Sequence, residues 1–104
     1  MRFVCDVYVA SLNQPGIYLA IGMHGTRYVG QTRTTMLRRW REHIGSLRRN
    51  VHHNTPLQEV YNRGEWFIVI ALEAVPRDSP PWFFDQRERY WINWAGIAAV
   101  NVAL

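Results

Sequence analysis

The sequence predicts a small α/β domain of the α+β type, with a three-stranded antiparallel sheet flanked by about three helices. Short runs of β-branched and aromatic residues, separated by glycine-containing turns, occupy residues 17–21, 26–29 and 66–75. Apolar residues at three- and four-residue steps fill much of the remaining chain, which is typical of amphipathic helices. With 104 residues, the chain has room for one domain with one sizeable core.

The β-like runs differ in their expected positions. Residues 17–21 and 26–29 are joined by GMHG, so they predict a β-hairpin. The run at 66–75 is the longest, and we expect it to be the central strand. A further run, FVCDVYV at residues 3–9, predicts an extra edge strand that adds to the sheet or pairs with a second copy of the chain.

The first helix is expected to follow the hairpin and to extend to about residue 50. Thr34 or Thr35 can cap its N-terminus. Its apolar stripe consists of Met36, Leu37, Trp40, Ile44 and Leu47. Four of its arginines lie off this stripe, namely Arg38, Arg41, Arg48 and Arg49, whereas Arg39 and His43 are four residues apart and share one face.

The second helix carries strong boundary signals. Thr55 is the expected N-cap, Pro56 suits the first helical position, and Gln58 can complete a capping box. Gly64 is expected to end this helix.

The third helix is expected to start after Asp78 or Ser79 and to end at Gly96. Its apolar arc contains Phe83, Phe84, Trp91, Trp94 and Ala95. Glu88 lies inside this arc, although buried carboxylates are normally paired or bound to a metal ion. Glu88 therefore either pairs with Arg87 or with an arginine of the first helix, or it helps to hold a hard cation such as Mg²⁺.

The composition favours an anionic partner and a reducing compartment. All twelve basic residues are arginines, and the net charge is +4. The single Cys5 excludes a disulfide within the chain and a cysteine-based zinc site. The N-terminus lacks the apolar core of a signal peptide, and no stretch reaches the roughly 20 apolar residues of a membrane span. We expect a cytoplasmic protein with no membrane partner.

Tyr18 and Tyr28 lie in the two strands of the predicted hairpin. Their positions fit aromatic residues of the core, and they also fit phenols that position water near a phosphate. A free phenol, with a pKa of about 10, needs a cationic neighbour for such a role. Arg39 and His43 could supply a phosphate clamp and a proton-transfer group, or they could form an exposed helix face.

The remaining histidines give weaker signals. His52 and His53 are adjacent on a polar connector, and adjacent histidines there seldom both bind a metal. We expect surface or hydrogen-bonding roles for them, with His53 nearer the site. His24 lies in a turn and is expected to be exposed.

Taken together, these residues resemble the GIY-YIG nuclease family. The first motif is Gly16-Ile17-Tyr18, and the second is Tyr28-Val29-Gly30, in which valine replaces isoleucine. Further matches follow in order: Arg39-Trp40 with His43, His53-Asn54 with Leu57-Gln58, Glu88 before Trp91-Ile92, and Asn101. The resemblance covers about residues 15–102, so we assign residues 15–104 to the nuclease domain and residues 1–14 to an N-terminal extension.

The resemblance implies that DNA phosphodiesters are hydrolysed with one divalent metal ion, Mg²⁺ or Mn²⁺. In this hypothesis Tyr18, aided by Tyr28 and His43, orients and deprotonates the attacking water. Arg39 neutralises phosphoryl charge, and Glu88 holds the metal. The candidate substrate-binding residues are Gly30, Gln31, Arg38, Arg41, His53, Asn54 and Asn101.

Two questions of assembly and activity follow from the resemblance. No DNA-recognition segment of useful size is evident, so we expect a minimal nuclease that acts alone, as a homodimer or with a partner protein that confers specificity. The alternative function is a non-catalytic nucleic-acid-binding module that keeps the nuclease fold. The complete set of chemical residues favours the enzyme.

Overall fold

The computed structural model describes residues 12–96, and it confirms the predicted α+β architecture. The strands are β1 (Gly16–Gly22), β2 (Arg27–Thr32) and β3 (Phe67–Ala74), and the helices are α1 (Met36–Arg48), α2 (Thr55–Asn62) and α3 (Pro81–Ala95). The strand expected at residues 3–9 and the candidate residue Asn101 lie outside the described residues. None of the helices in residues 12–96 has the length and apolarity that a membrane crossing requires.

The sheet is antiparallel throughout, in the order β2-β1-β3. The expectation that residues 66–75 form the central strand is therefore wrong. The central strand is β1, which pairs on both edges and is buried at residues 17–20, whereas Ile68 of β3 is 56% exposed. The register between β1 and β3 shifts between Ile17 and Tyr18, and such bulges commonly adjust the direction of a side chain.

Two apolar layers cover the sheet because successive residues of a strand point to opposite faces. Tyr18 and Ala20 pack with residues of α1 and α2, including Trp40 and Leu57. Ile17 and Leu19 pack with Phe84 and Ala95 of α3 on the other face. The domain thus has three layers, with β1 in the middle of the central one.

The start of α1 agrees with the sequence, whereas that of α2 does not. Thr35 caps α1 by accepting a hydrogen bond from the Arg38 N–H. The N-cap of α2 is Asn54 rather than Thr55, because the Asn54 side chain accepts from the Leu57 N–H at 3.0 Å. An asparagine one position earlier satisfies the same free N–H groups that the threonine was expected to satisfy.

Gln58 does not form the predicted capping box. Its side chain is buried and accepts a hydrogen bond from the His52 N–H at 3.1 Å. It also donates to the Leu47 carbonyl at 3.0 Å. Gln58 therefore ties the end of α1 to the connector that carries His52.

The third helix differs from the prediction at its start and on its surface. Pro80, which forms no side-chain capping bond, is the N-cap in place of Asp78 or Ser79. Two prolines reduce the number of free N–H groups there, so a capping side chain has less to satisfy. Trp94 is 56% exposed and does not belong to the apolar arc. Gly96 ends the helix as predicted, with φ of 75°.

Candidate active site

Tyr18, Tyr28, Trp40 and His43 form one aromatic cluster between the sheet and α1. The ring centroids of Tyr28 and His43 are 5.3 Å apart, and the centroid of Tyr18 lies 6.4 Å from that of His43. Tyr18 is fully buried, and its hydroxyl has no hydrogen-bond partner among the described residues. An unsatisfied buried hydroxyl costs on the order of 1–3 kcal/mol. Within residues 12–96 the Tyr18 hydroxyl is therefore an uncompensated buried polar group.

Gly30 makes the position of Tyr18 possible. The two residues are directly opposite each other in the β1–β2 pair. A Cβ atom on Gly30 would lie only 2.3 Å from the Tyr18 hydroxyl oxygen and ring Cζ. The distal end of the phenol therefore lies over the glycine backbone, at the edge of the sheet that β2 forms. Gly30 was predicted to bind substrate, and the structure gives it this steric role.

Both phenols hold their protons tightly. Burial raises the pKa of Tyr18 well above its ordinary value, and the neighbouring Tyr28 raises it further. Burial also raises the pKa of Tyr28, to about 12. The Arg39 guanidinium lowers the pKa of both phenols, but its effect is the smaller one. At neutral pH both tyrosines are hydrogen-bonding phenols rather than phenolate bases.

His43 is buried rather than part of an exposed helix face. Its Nδ1 lies 2.6 Å from Nε2 of His52, which is also buried. Burial, and next the positive field of Arg39, lower the pKa of His43 to about 3. Burial and the adjacent His53 lower the pKa of His52. His43 is therefore neutral at physiological pH.

Arg39 sits at the margin of this cluster. Its guanidinium donates to Glu42 at 3.1 Å and remains partly exposed. Arg38 contacts the same carboxylate at 3.8 Å. An open groove of about 740 Å³ runs along the outer face of α1, and its lining includes Arg38, Arg39, Arg41 and Arg49.

Glu88 approaches the sheet from the opposite face, on α3. The Gln31 amide donates to Glu88 at 3.0 Å and to Asp85 at 2.7 Å. Burial raises the pKa of the partly buried Glu88, against the effect of the Gln31 hydrogen bond. The predicted alternative of a Glu88–Arg87 pair is wrong, because Arg87 binds Glu73 at 2.8 Å.

Asp85 is a candidate that the sequence reasoning missed. It precedes Glu88 by three residues, so the two carboxylates share one face of α3, and this spacing could have indicated the pair. Within residues 12–96 there is no group of three or more histidine, cysteine or acidic side chains that could hold a metal. Two carboxylates still fit a hard divalent cation that takes its other ligands from water and phosphate.

The phenols and the carboxylates meet across the edge of β2. Tyr18 lies over Gly30 on the α1 face, and the next residue, Gln31, contacts Glu88 on the α3 face. Glu88 raises the pKa of both Tyr18 and Tyr28, so the two groups are close enough to interact electrostatically. That these residues act together in one site stays a prediction.

The other predicted residues differ in their exposure to solvent. His53 is exposed, and its ring stacks on that of His52 at a centroid distance of 4.6 Å. Asn54 is buried as the N-cap of α2. His24 is exposed in the β1–β2 turn, as expected.

The sequence model of the GIY-YIG catalytic domain matches residues 14–98 of the chain. The chain belongs to the GIY-YIG family. A GIY-YIG catalytic domain is a nuclease domain, so this chain is a nuclease, and membership implies endonuclease activity on DNA. The GIY-YIG nucleases generally use divalent metal ions.

Two solved structures are similar to this GIY-YIG domain. The catalytic domain of the homing endonuclease I-TevI shares 26% identity with it and superposes with a TM-score of 0.78, covering 88% of this chain and 100% of that one. A glutamate-to-alanine mutant of the intron endonuclease I-TevI catalytic domain also shares 26% identity, with a TM-score of 0.79 and coverage of 86% and 94%. No curated protein matches the sequence significantly.

Proposed function

We propose that this chain is a divalent-metal-dependent DNA endonuclease whose site spans the edge of β2. The observation that carries the proposal is the buried Tyr18 hydroxyl. It has no partner within the described residues, and Arg39 and Glu88 both influence its pKa. A scissile phosphate and its attacking water would satisfy this hydroxyl.

In this proposal the phenols and His43 orient the attacking water. The water oxygen forms its bond to phosphorus as the bond to the 3′ oxygen breaks in line, and the proton that the water loses ends, by way of solvent, on the 3′ oxygen. The raised pKa of Tyr18 and of Tyr28 opposes the expectation that Tyr18, aided by Tyr28 and His43, deprotonates the water. The Arg39 charge favours loss of a proton at the Tyr18 oxygen, and it would also neutralise charge on the phosphoryl oxygens.

Glu88, with Asp85 beside it, would hold the metal ion, Mg²⁺ or Mn²⁺. A bound divalent ion supplies charge neutralisation at the phosphate and stabilises the leaving oxygen. The Gln31 amide, which donates to both carboxylates, would keep them oriented toward the edge of β2. Because burial raises the pKa of Glu88, metal affinity should decline earlier on acidification than it would for an exposed glutamate.

The arginines of α1 would bind flanking DNA phosphates without reading sequence. Arg38, Arg41 and Arg49 line the groove on the outer face of α1. Arg41 forms no ion pair within residues 12–96, so its charge is available to a phosphate. We further propose that a homodimer or a partner protein supplies specificity and that the enzyme acts in the cytoplasm.

Plasmid nicking by the purified chain tests the proposal. Wild type should nick DNA with Mg²⁺ or Mn²⁺ and lose activity when the metal is chelated. Glu88→Ala should fall to background, whereas Glu59→Ala, which removes an exposed carboxylate of α2, should remain active. Thermal melting of both variants establishes that they are folded. Nicking by Glu88→Ala at the wild-type rate would refute the metal assignment, and salt-sensitive DNA binding without any nicking by wild type would favour the non-catalytic module.

A further inference from the structure

A chain of hydrogen bonds determines which nitrogen of His43 carries its proton. The backbone N–H of Asn54 donates to Nδ1 of His52 at 3.0 Å. Nε2 of His52 in turn lies 2.6 Å from Nδ1 of His43. His43, His52 and Asn54 are all at most 8% exposed, so water competes little for these contacts.

The first link decides the protonation of His52. A neutral imidazole has one N–H donor and one acceptor nitrogen. Because Nδ1 of His52 accepts the Asn54 N–H, its proton must be on Nε2. A doubly protonated His52 would direct two hydrogens at each other along that bond, and the lowered pKa of His52 agrees with the neutral form.

The second link transfers this choice to His43. Nε2–H of His52 donates to Nδ1 of His43, so the neutral His43 ring carries its proton on Nε2. This nitrogen lies on the side of the ring away from the His52 contact. The two tyrosine rings pack against the same imidazole, at centroid distances of 5.3 Å for Tyr28 and 6.4 Å for Tyr18.

We propose that His52 is a positioning residue that holds His43 in the Nε2-protonated tautomer, so that His43 acts in the site as a hydrogen-bond donor. The ligand it serves is an anionic or lone-pair oxygen, such as a phosphate oxygen or the oxygen of the attacking water. In this state His43 orients that oxygen and does not remove a proton from it. The role of His43 as a donor in catalysis rests on the proposed nuclease function, whereas the assignment of its tautomer does not depend on that function.

The chain offers a matched pair of substitutions. His52→Gln keeps an N–H donor near the position of Nε2, while His52→Phe keeps a ring and removes the donor. Both substitutions remove the imidazole nitrogen that accepts the Asn54 N–H. Where the two variants have equal thermal stability, a difference between them reports on the donor to His43.

Long-range ¹H–¹⁵N correlation spectra of the full, ¹⁵N-labelled chain measure the tautomer directly. We expect Nε2–H at His43 in wild type and in His52→Gln, and a shift toward the Nδ1–H form or a mixture in His52→Phe. Nδ1–H at His43 in wild type would overturn the proposal, and this result needs no variant to fold. An unchanged Nε2–H form in a folded His52→Phe would overturn it equally.

Nicking rates then separate positioning from structure. His52→Phe should lower kcat by roughly 10- to 100-fold with little change in KM, by analogy with the groups that orient metal-bound histidines, and His52→Gln should recover most of that loss. Equal loss in both variants at equal thermal stability would refute the donor role. Absence of nicking in wild type would refute the proposed function, while the spectra would still decide the tautomer.

Discussion

Gly30→Ala tests how the site is assembled, because the space that a side chain at position 30 would fill is occupied by the end of the Tyr18 ring. The added Cβ would lie 2.3 Å from the Tyr18 hydroxyl oxygen and Cζ, and 2.8 Å from Cε2. Ordinary van der Waals contact begins at 3.4 Å, so the phenol must retreat by about 1 Å. The ring is fully buried and cannot move freely.

The size of the effect follows from this overlap. Overpacking a buried site by one methyl group costs roughly 1–3 kcal/mol. For a domain of this size, each kcal/mol corresponds to a fall of about 4–8 °C in Tm. A 1 Å misplacement of a catalytic group can reduce activity by about 100-fold, so nicking should fall even where the variant stays folded.

Thermal melting and nicking assays on Gly30→Ala measure both effects. Gly45→Ala is the control, because its Cβ would meet only the flexible Arg49 guanidinium at 3.4 Å and alanine favours a helix by on the order of 1 kcal/mol over glycine. In a Tyr18→Ala background, Gly30→Ala should cost much less than in wild type. Equal costs in the two backgrounds would show that the phenol is not the obstacle.

Three further predictions concern other parts of the site. His43 has a pKa of about 3 in the folded protein and about 6.5 when unfolded, so the unfolded state takes up the proton first on acidification. Between pH 7 and pH 5, denaturant titrations should therefore show that the free energy of unfolding falls by about 2 kcal/mol more in wild type than in His43→Gln. Equal losses in the two proteins would contradict a buried, neutral imidazole. Asn54→Ala should lower the free energy of unfolding by about 1 kcal/mol because it removes the N-cap of α2, and Thr55→Ala should lower it by less than about 0.5 kcal/mol. A larger loss in Thr55→Ala than in Asn54→Ala would show that Thr55 is the N-cap. Arg41→Ala should weaken DNA binding uniformly across sequences and reduce the slope of log K against log salt concentration by about 1. Arg63→Ala, at the end of α2, should change neither quantity. Equal slopes for wild type and Arg41→Ala would show that Arg41 does not bind DNA phosphate.

Much of the fold could be predicted because local signals and the fold agree. The GMHG turn joins β1 and β2 as a hairpin, and Thr35 and Gly96 mark helix ends as their residue types suggest. The position of β3 could not be read in this way. Its residues 67–74 are as β-prone as those of a central strand, and only the pairing partners of β1 decide which strand lies in the middle.

The site was predictable to a lesser degree. Its motif residues are recognisable one by one, but spacing along the chain does not report burial. The sequence allowed His43 to be part of a solvated helix face, whereas in the structure it is buried among aromatic rings of the sheet and α1 and contacts His52, nine residues later. The spacing of Asp85 and Glu88 could have indicated a pair of carboxylates, but the contact of Asp85 with Gln31 joins α3 to β2 and leaves no local signal in the sequence.

The arrangement across β2 also restricts how copies of the chain can associate. The sheet separates the water-orienting phenols from the carboxylates, and Gly30 and Gln31 are the adjacent positions where the two faces meet. Within residues 12–96, β2 pairs with β1 alone, so its other edge is the place where a phosphate could reach both groups, and a strand added there would cover the site. If the proposed site is correct, we predict that a homodimer paired through this edge of β2 would be inactive and that DNA approaches from the side of β2.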